Sequence, residues 1–147
     1  MRTLPDKVVL LMQKVLLAED ETQVANMTAA TLRRGGFDVV HAYDGNQALE
    51  VWRSEKTDLI ILDIQMPVLD GFAVCRRIRT ASDIPIIMLT ASSDEDNVSY
   101  GLNIGANDYI SKPFRPKELI ARVQATLRHH HSTRKHAQFD LGGLSLD

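Results

Sequence analysis

The residues in this chain best suited to chemistry are Glu19 and Asp20, Asp63, Thr90 and Lys112. They share one feature of placement. Each stands at or just past the end of a candidate strand: Val15-Leu-Leu-Ala before Glu19, Leu59-Ile-Ile-Leu before Asp63, Ile86-Ile-Met-Leu before Thr90, and a short, more polar stretch from Asn107 before Lys112. Three carboxylates brought together repel one another unless a cation neutralises them. Hard oxygen ligands with room for water suit Mg²⁺. Lys112 adds a second positive charge, and Thr90 adds a hydroxyl that can donate to an oxyanion. Such a set can accept and hold a phosphoryl group, whose transfer needs in-line positioning and neutral surroundings for its equatorial oxygens. Each residue alone has a plainer reading. Asp is common in strand-to-loop turns, Glu19-Asp20-Glu21 can be an acidic helix start, Thr90 a strand end and Lys112 a surface charge. Those readings leave the shared placement unexplained.

The elements that must position these groups follow from the apolar pattern. Lys14–Ala18 reads as a first strand, and Val24, Met27, Thr28, Thr31 and Leu32 recur at helical spacing over Thr22–Arg34. Thr22 is the expected N-cap and Gly35-Gly36 the stop. Phe37–Ala42 is a second strand. Asp44-Gly45-Asn46 is turn chemistry, and Asn46–Arg53 a helix. The run ending at Asp63 suits a central strand covered on both faces, and Pro67 keeps the following loop from becoming helix. A helix over Gly71–Arg79, a strand over Pro85–Thr90, a helix from Ser93 or Asp94 to near Gly105, a strand over Asn107–Lys112 and a helix from Arg115 to about His129 complete the pattern. Five alternations of strand and helix predict an α/β fold. It is a doubly wound, five-stranded parallel sheet of flavodoxin-like order 2-1-3-4-5, with helices on both faces. In that topology the candidate residues meet at the carboxyl edge of the sheet.

Composition narrows the class. A formal net charge of -2 argues against a whole-surface nucleic-acid binder. The single cysteine, Cys75, excludes an intramolecular disulfide and fits a reducing, cytoplasmic setting; its place in a helical pattern makes it a packed side chain. No apolar run reaches the roughly 20 residues that span a bilayer, so no membrane association is expected. Residues 1–11 read as an N-terminal extension, with an apolar run Val8–Met12 that should pack if ordered. Residues 12–130 form the main domain. Residues 131–137 lie in a basic, histidine-rich stretch that reads as a solvated linker, not as a zinc site, because His129, His130, His131 and His136 lack its spacing and a cysteine. Residues 138–147 alternate around Gly142-Gly143 like the opening of a β-hairpin without partner strands, and so as the start of a truncated second domain. His41 reads as structural, and Trp52 and Phe72 as packed.

Four stretches together resemble the receiver domain of bacterial two-component response regulators, the CheY-like superfamily. They are Val-Leu-Leu-Ala-Glu19-Asp20-Glu21, Leu-Ile-Ile-Leu-Asp63-Ile-Gln-Met-Pro-Val-Leu-Asp-Gly71, Ile-Ile-Met-Leu-Thr90-Ala91 and Gly105-Ala-Asn-Asp-Tyr109-Ile-Ser-Lys112-Pro113-Phe114. The resemblance spans about Lys14 to His129. It implies Asp63 as phosphoacceptor from a sensor histidine kinase, and Mg²⁺ on Asp20, Asp63 and the backbone carbonyl of Gln65, with Glu19 acting through water. It implies Lys112 paired with the phosphoryl group, a cis peptide to Pro113, Thr90 bonded to a phosphoryl oxygen, and Tyr109 turning inward as Thr90 moves. Ala91 would leave a water path to the acyl phosphate, so some self-hydrolysis is expected. The family is a phosphoacceptor signalling domain and not an enzyme, with no catalysis expected beyond its own phosphorylation and dephosphorylation.

The tail resembles the junction of OmpR/PhoB-type winged-helix transcription factors. This implies DNA binding through a missing C-terminal domain and a homodimer on activation, through the face of the fourth helix, fifth strand and fifth helix. Asp108, Glu118 and Arg122 match the charged positions of that face, whereas Val98, Asn107, Ser99 and Tyr100 depart from it. Three rivals stand beside this reading. A haloacid-dehalogenase-type phosphatase needs a second Asp where Gln65 stands. A flavodoxin-like or cobalamin module is opposed by the acidic first turn. A stand-alone phosphorelay receiver, or a regulator of a non-DNA effector, keeps the family and changes the output.

Overall fold

The computed structural model describes residues 12–91 and 95–145, with side chains through residue 133. Five strands and five helices alternate: β1 Lys14–Ala18, α1 Thr22–Arg34, β2 Asp38–Ala42, α2 Gly45–Ser54, β3 Leu59–Asp63, α3 Gly71–Arg79, β4 Ile86–Thr90, α4 Glu95–Asn103, β5 Asp108–Ser111 and α5 Pro116–Ser145. The sheet is parallel throughout, in the order β2-β1-β3-β4-β5. This is the doubly wound, flavodoxin-like arrangement read from the sequence.

The continuous apolar runs are explained by two separate cores, one on each face. All residues of β3 and β4 are buried. Alternate side chains of β3 go to opposite sides, as a strand's two-residue period requires. Ile60 and Leu62 pack with Leu49 of α2 and with Val74, Cys75 and Ile78 of α3. Leu59 and Ile61 pack with Ala25, Ala29 and Leu32 of α1 and with Leu119 and Val123 of α5. Truncating one of these fully buried side chains to Ala costs about 2–5 kcal/mol. That double clamp fixes where the strand stops, and therefore where Asp63 emerges.

Helix ends show what the sequence patterns left open. Helix α1 begins at Thr22, and its N-cap is Glu21, without a side-chain cap bond. Thr22 is thus not the cap; the Glu21 N–H instead donates to Glu19 Oε2 at 3.2 Å. Gly36, at φ 95°, provides the left-handed turn that ends the helix region. Helix α2 starts at Gly45, because Asp44 caps it by accepting from the Gln47 N–H at 2.7 Å. Asp70 caps α3 in the same way through the Ala73 N–H at 2.8 Å.

The largest correction lies at the carboxyl end. Helix α5 does not stop near His129 but continues to Ser145, so residues 131–137 are helical. The alternating segment from Phe139 to Ser145 is helical too, not a hairpin opening. A helix satisfies its own backbone groups, and no Gly or Pro interrupts the sequence between Pro116 and Gly142. The apolar run Val8–Leu11, the expected helix start at Ser93 or Asp94, and residues 146–147 lie outside the described residues. Among the described residues no helix is long and apolar enough to cross a membrane.

Gly71 is where the fold bears on the site most directly. A Cβ there would stand 2.4 Å from the backbone oxygen of Asp63 and 3.0 Å from Cα of Ile64. The Gly71 N–H also donates to the Ile64 carbonyl at 2.8 Å. The first turn of α3 thus lies directly on the backbone that carries Asp63, and only hydrogen fits between them. Gly71→Ala should therefore lower stability by about 1–3 kcal/mol, read by urea unfolding. Unchanged stability would show that the Asp63 loop yields freely.

Candidate functional site

The carboxyl ends of β1, β3 and β4 and the residue following β5 converge at one edge. Glu19 follows β1 and is buried, Asp20 beside it is exposed, and Asp63 is the buried last residue of β3. Their carboxylate oxygens lie within 4.8 Å of one another. Thr90, the last residue of β4, is buried. Lys112 comes next to it, because its N–H donates to the Thr90 carbonyl at 2.6 Å. The Lys112–Pro113 peptide is cis, as the resemblance implied.

Lys112 crosses the cluster. Its Nζ lies 2.6 Å from Glu19 Oε1 and 3.3 Å from Asp63 Oδ2. The sequence reading gave Glu19 a role through water and Lys112 a role toward a phosphoryl oxygen; it missed that these two side chains pair directly. Proximity in charge chemistry across 93 positions leaves no local sequence signal.

The electrostatic consequence is a division of labour between two buried carboxylates. Burial raises the pKa of Asp63, the neighbouring Glu19 raises it further, and Lys112 offsets only part; the result is pushed up to about 7. Burial also acts against ionised Glu19, but the hydrogen bond and charge of Lys112 contribute to holding its carboxyl below the usual range. For Lys112, burial alone would favour the neutral amine, yet Glu19 and Asp63 together raise its pKa. Glu19 and Lys112 therefore form the fixed ion pair, and Asp63 is the group whose charge is labile.

The loop after Asp63 is drawn tightly around it. The Gln65 N–H donates to Asp63 Oδ1 at 3.3 Å. Val68 has φ 72°, and the Leu69 N–H donates back to the Pro67 carbonyl at 2.9 Å. That is a γ-turn centred on a β-branched residue, a strained conformation that costs on the order of 1–2 kcal/mol. Neither Val68 nor its turn was singled out from the sequence; Pro67 signalled a turn without its type.

The donor set fits a hard divalent cation. All side-chain donors are carboxylate oxygens, and Asp20 is open to solvent so that water can complete a coordination shell. The other residues named from the sequence lie to one side. Tyr109 is half-buried on β5, beside Gly101 of α4. Asp108 accepts from Arg122 NH1 through both oxygens, at 3.1 and 3.2 Å, and Glu118 Oε2 lies 3.6 Å from Arg122 Nε. These three charges pair within one chain. Asn107 is occupied as well: its Oδ1 accepts from the Ile86 N–H at 2.9 Å and from Arg79 NH2 at 3.0 Å. An oxygen is what that corner of the fold needs, and Asn provides it as Asp would.

Comparison with known proteins agrees with this fold. The response regulator receiver domain family matches residues 15–124. The receiver domain of a Francisella response regulator is 34% identical, with a TM-score of 0.76 over 80% of this chain and 98% of that one. A two-component response regulator from Clostridium difficile is 30% identical, with a TM-score of 0.76 over 80% and 97%. A chemotaxis response regulator of Vibrio cholerae is 34% identical, with a TM-score of 0.74 over 78% and 98%.

The unequal carboxylates make stability depend on pH in opposite senses. Asp63, with its pKa raised, contributes stability that is complete below its ordinary value and is lost as pH rises through about 7. Glu19, with its pKa lowered, contributes stability that is present above its ordinary value and is lost as pH falls through the lowered one. Asp63→Asn removes the first effect and keeps the part of the second that Lys112 supplies. Without divalent cations the variant should exceed the parent by roughly 1–3 kcal/mol near pH 8, with a smaller gain near pH 5. Thermal unfolding at the two pH values checks this; equal stability near pH 8 would contradict it.

Proposed function

The chain belongs to the response regulator receiver domain family, and on that premise we propose that Asp63 accepts a phosphoryl group from the phosphohistidine of a sensor kinase. One observation carries the reading: Asp63 is a buried carboxylate at a strand end, 3.3 Å from Lys112 Nζ and clustered with Glu19 and Asp20. The ionised Asp63 oxygen attacks phosphorus. The new O–P bond forms as the P–N bond to the imidazole breaks, and the imidazole leaves with the bonding pair. Lys112 swings its ammonium from Asp63 toward the transferred oxygens while Glu19 keeps it anchored. The Thr90 hydroxyl donates to another of those oxygens. Asp20, Asp63 and the Gln65 backbone carbonyl would hold Mg²⁺, with Glu19 acting through water. The ion supplies charge that favours ionised Asp63 and offsets charge on the equatorial oxygens.

The output is a change at the face of α4, β5 and α5. New charge-assisted bonds at Thr90 and Lys112 bias a two-state element, with Tyr109 turning inward as Thr90 moves. In a homodimer through this face, Arg122 exchanges its partners Asp108 and Glu118 within the chain for the same groups across the interface. Asn107 takes no part, being held by Arg79 and the Ile86 N–H. The effector is proposed to be DNA, bound through a C-terminal winged-helix domain of OmpR/PhoB type. A second reading, a receiver that acts on a partner without a DNA-binding domain, is favoured by the helical continuation of α5 to Ser145. The proposed setting is cytoplasmic.

Treatment with acetyl phosphate and Mg²⁺ should add one phosphoryl group to the parent by intact mass and none to Asp63→Asn. A folded, Mg²⁺-binding protein that gains no mass would contradict the phosphoacceptor role. In sedimentation, phosphorylation should convert monomer to dimer, and Arg122→Ala should weaken that dimer. An activated sample that stays monomeric at high concentration would remove dimerisation from the proposal.

A further inference from the structure

The side chain of His41, on the neighbouring strand β2, reaches the backbone of the acidic turn. It lies on β2 opposite Leu17, one position before the pair Ala18 and Ala42 that ends the β1–β2 register. There the chain leaves the sheet, and two bonds hold the departing residue. The Glu19 N–H donates to the Ala42 carbonyl at 3.0 Å. The Glu19 carbonyl lies 2.7 Å from His41 Nε2. A carbonyl only accepts, so Nε2 carries the hydrogen. Glu19 is 1% exposed, so this carbonyl belongs to a residue with almost no access to water. Losing a partner there costs more than losing one at the surface.

The imidazole is itself held. The Tyr43 ring lies against it, with centroids 3.9 Å apart and planes tilted by 50°. The Tyr43 N–H donates to Gln47 Oε1, and the Gln47 N–H donates to Asp44 Oδ1, the cap of α2. A continuous set of contacts therefore runs from the start of α2 to the turn that carries Glu19 and Asp20.

We infer that His41 is a positioning residue for the acidic turn, fixing through the Glu19 carbonyl the direction in which Glu19 and Asp20 face Asp63. This deepens the phosphoacceptor reading and rests on it for the purpose of the turn. His41 touches neither the reacting carboxylate nor the phosphoryl group. It acts on a donor set that works only if its oxygens stay convergent, as outer partners of metal ligands do. Glu19 then keeps Lys112 in place and Asp20 stays directed to the cluster. The sequence reading treated His41 as structural; the bond to Glu19 gives that structure a purpose.

Gln places its side-chain nitrogen near the position of Nε2, whereas Asn places its nitrogen near Nδ1. His41→Leu and His41→Asn should weaken Mg²⁺ binding by calorimetry roughly tenfold, and His41→Gln should restore it to within about twofold. Amide hydrogen exchange gives a second readout without metal. The Glu19 and Glu21 amides should exchange faster in His41→Leu and recover in His41→Gln, while the core amides of Ile60 and Ile87 stay unchanged. Parent-like exchange at Glu19 and Glu21 in His41→Leu would overturn the inference, as would equal loss of protection across the core. If the parent binds Mg²⁺ and His41→Leu binds it equally well, the inference also fails. If the parent binds none, the phosphoacceptor reading fails and the exchange result alone decides the role of His41.

Discussion

The Lys112 ammonium, shared unequally between Glu19 and Asp63, is the interaction on which the site depends. Two buried carboxylates and a third beside them cannot all keep their charge in a place of low polarity. The cation lies closer to Glu19, at 2.6 Å, than to Asp63, at 3.3 Å. That difference gives the two acids separate tasks. Glu19 remains a fixed anion that anchors Lys112. Asp63 bears the cost of its own charge and gains most from whatever cation or covalent group relieves it. A buried carboxylate whose pKa is raised by its surroundings marks a candidate reactive site.

The fold sustains this arrangement by bringing distant residues to one edge and making their backbones rigid. Strand β3 is clamped between two cores, so Asp63 is delivered at a fixed height. Gly71 lets α3 close against the Asp63 carbonyl, and the γ-turn at Val68 draws the intervening loop in. Lys112 and Thr90 are linked through one backbone bond, so a change at either reaches the other. Tyr109 and Gly101 continue that line toward α4. The acidic cluster and the outer face of β5 are therefore parts of one packed unit.

Much of this was legible in the sequence because burial on both faces writes itself as unbroken apolar runs. Leu59–Leu62 and Ile86–Leu89 were readable as central strands, and their ends located Asp63 and Thr90. The parallel order then brought Glu19, Asp20 and Lys112 to the same edge. What escaped was set by contacts that leave no periodic trace. The choice of Glu19 as the nearer partner for Lys112 rests on distances of 2.6 against 3.3 Å. The cap of α1 is taken by Glu21, although Thr22 has the better cap chemistry. The carboxyl-terminal segment alternates like a strand, yet it continues the helix that precedes it, with no Gly or Pro before Gly142 to stop it. His41 looked like any polar residue closing a strand, since its bond is to a backbone carbonyl and not to a side chain that a motif would contain.

The most direct measurement is a carbon-13 NMR titration of the Asp63 carboxyl group, made without and then with Mg²⁺. Without the ion, Asp63 should titrate near 7, well above an ordinary aspartate, while Glu19 stays ionised to lower pH. With the ion, the Asp63 midpoint should fall. A midpoint close to that of a free aspartate in the absence of Mg²⁺, or one that Mg²⁺ does not move, would contradict the assignment of Asp63 as the labile carboxylate at the centre of the site.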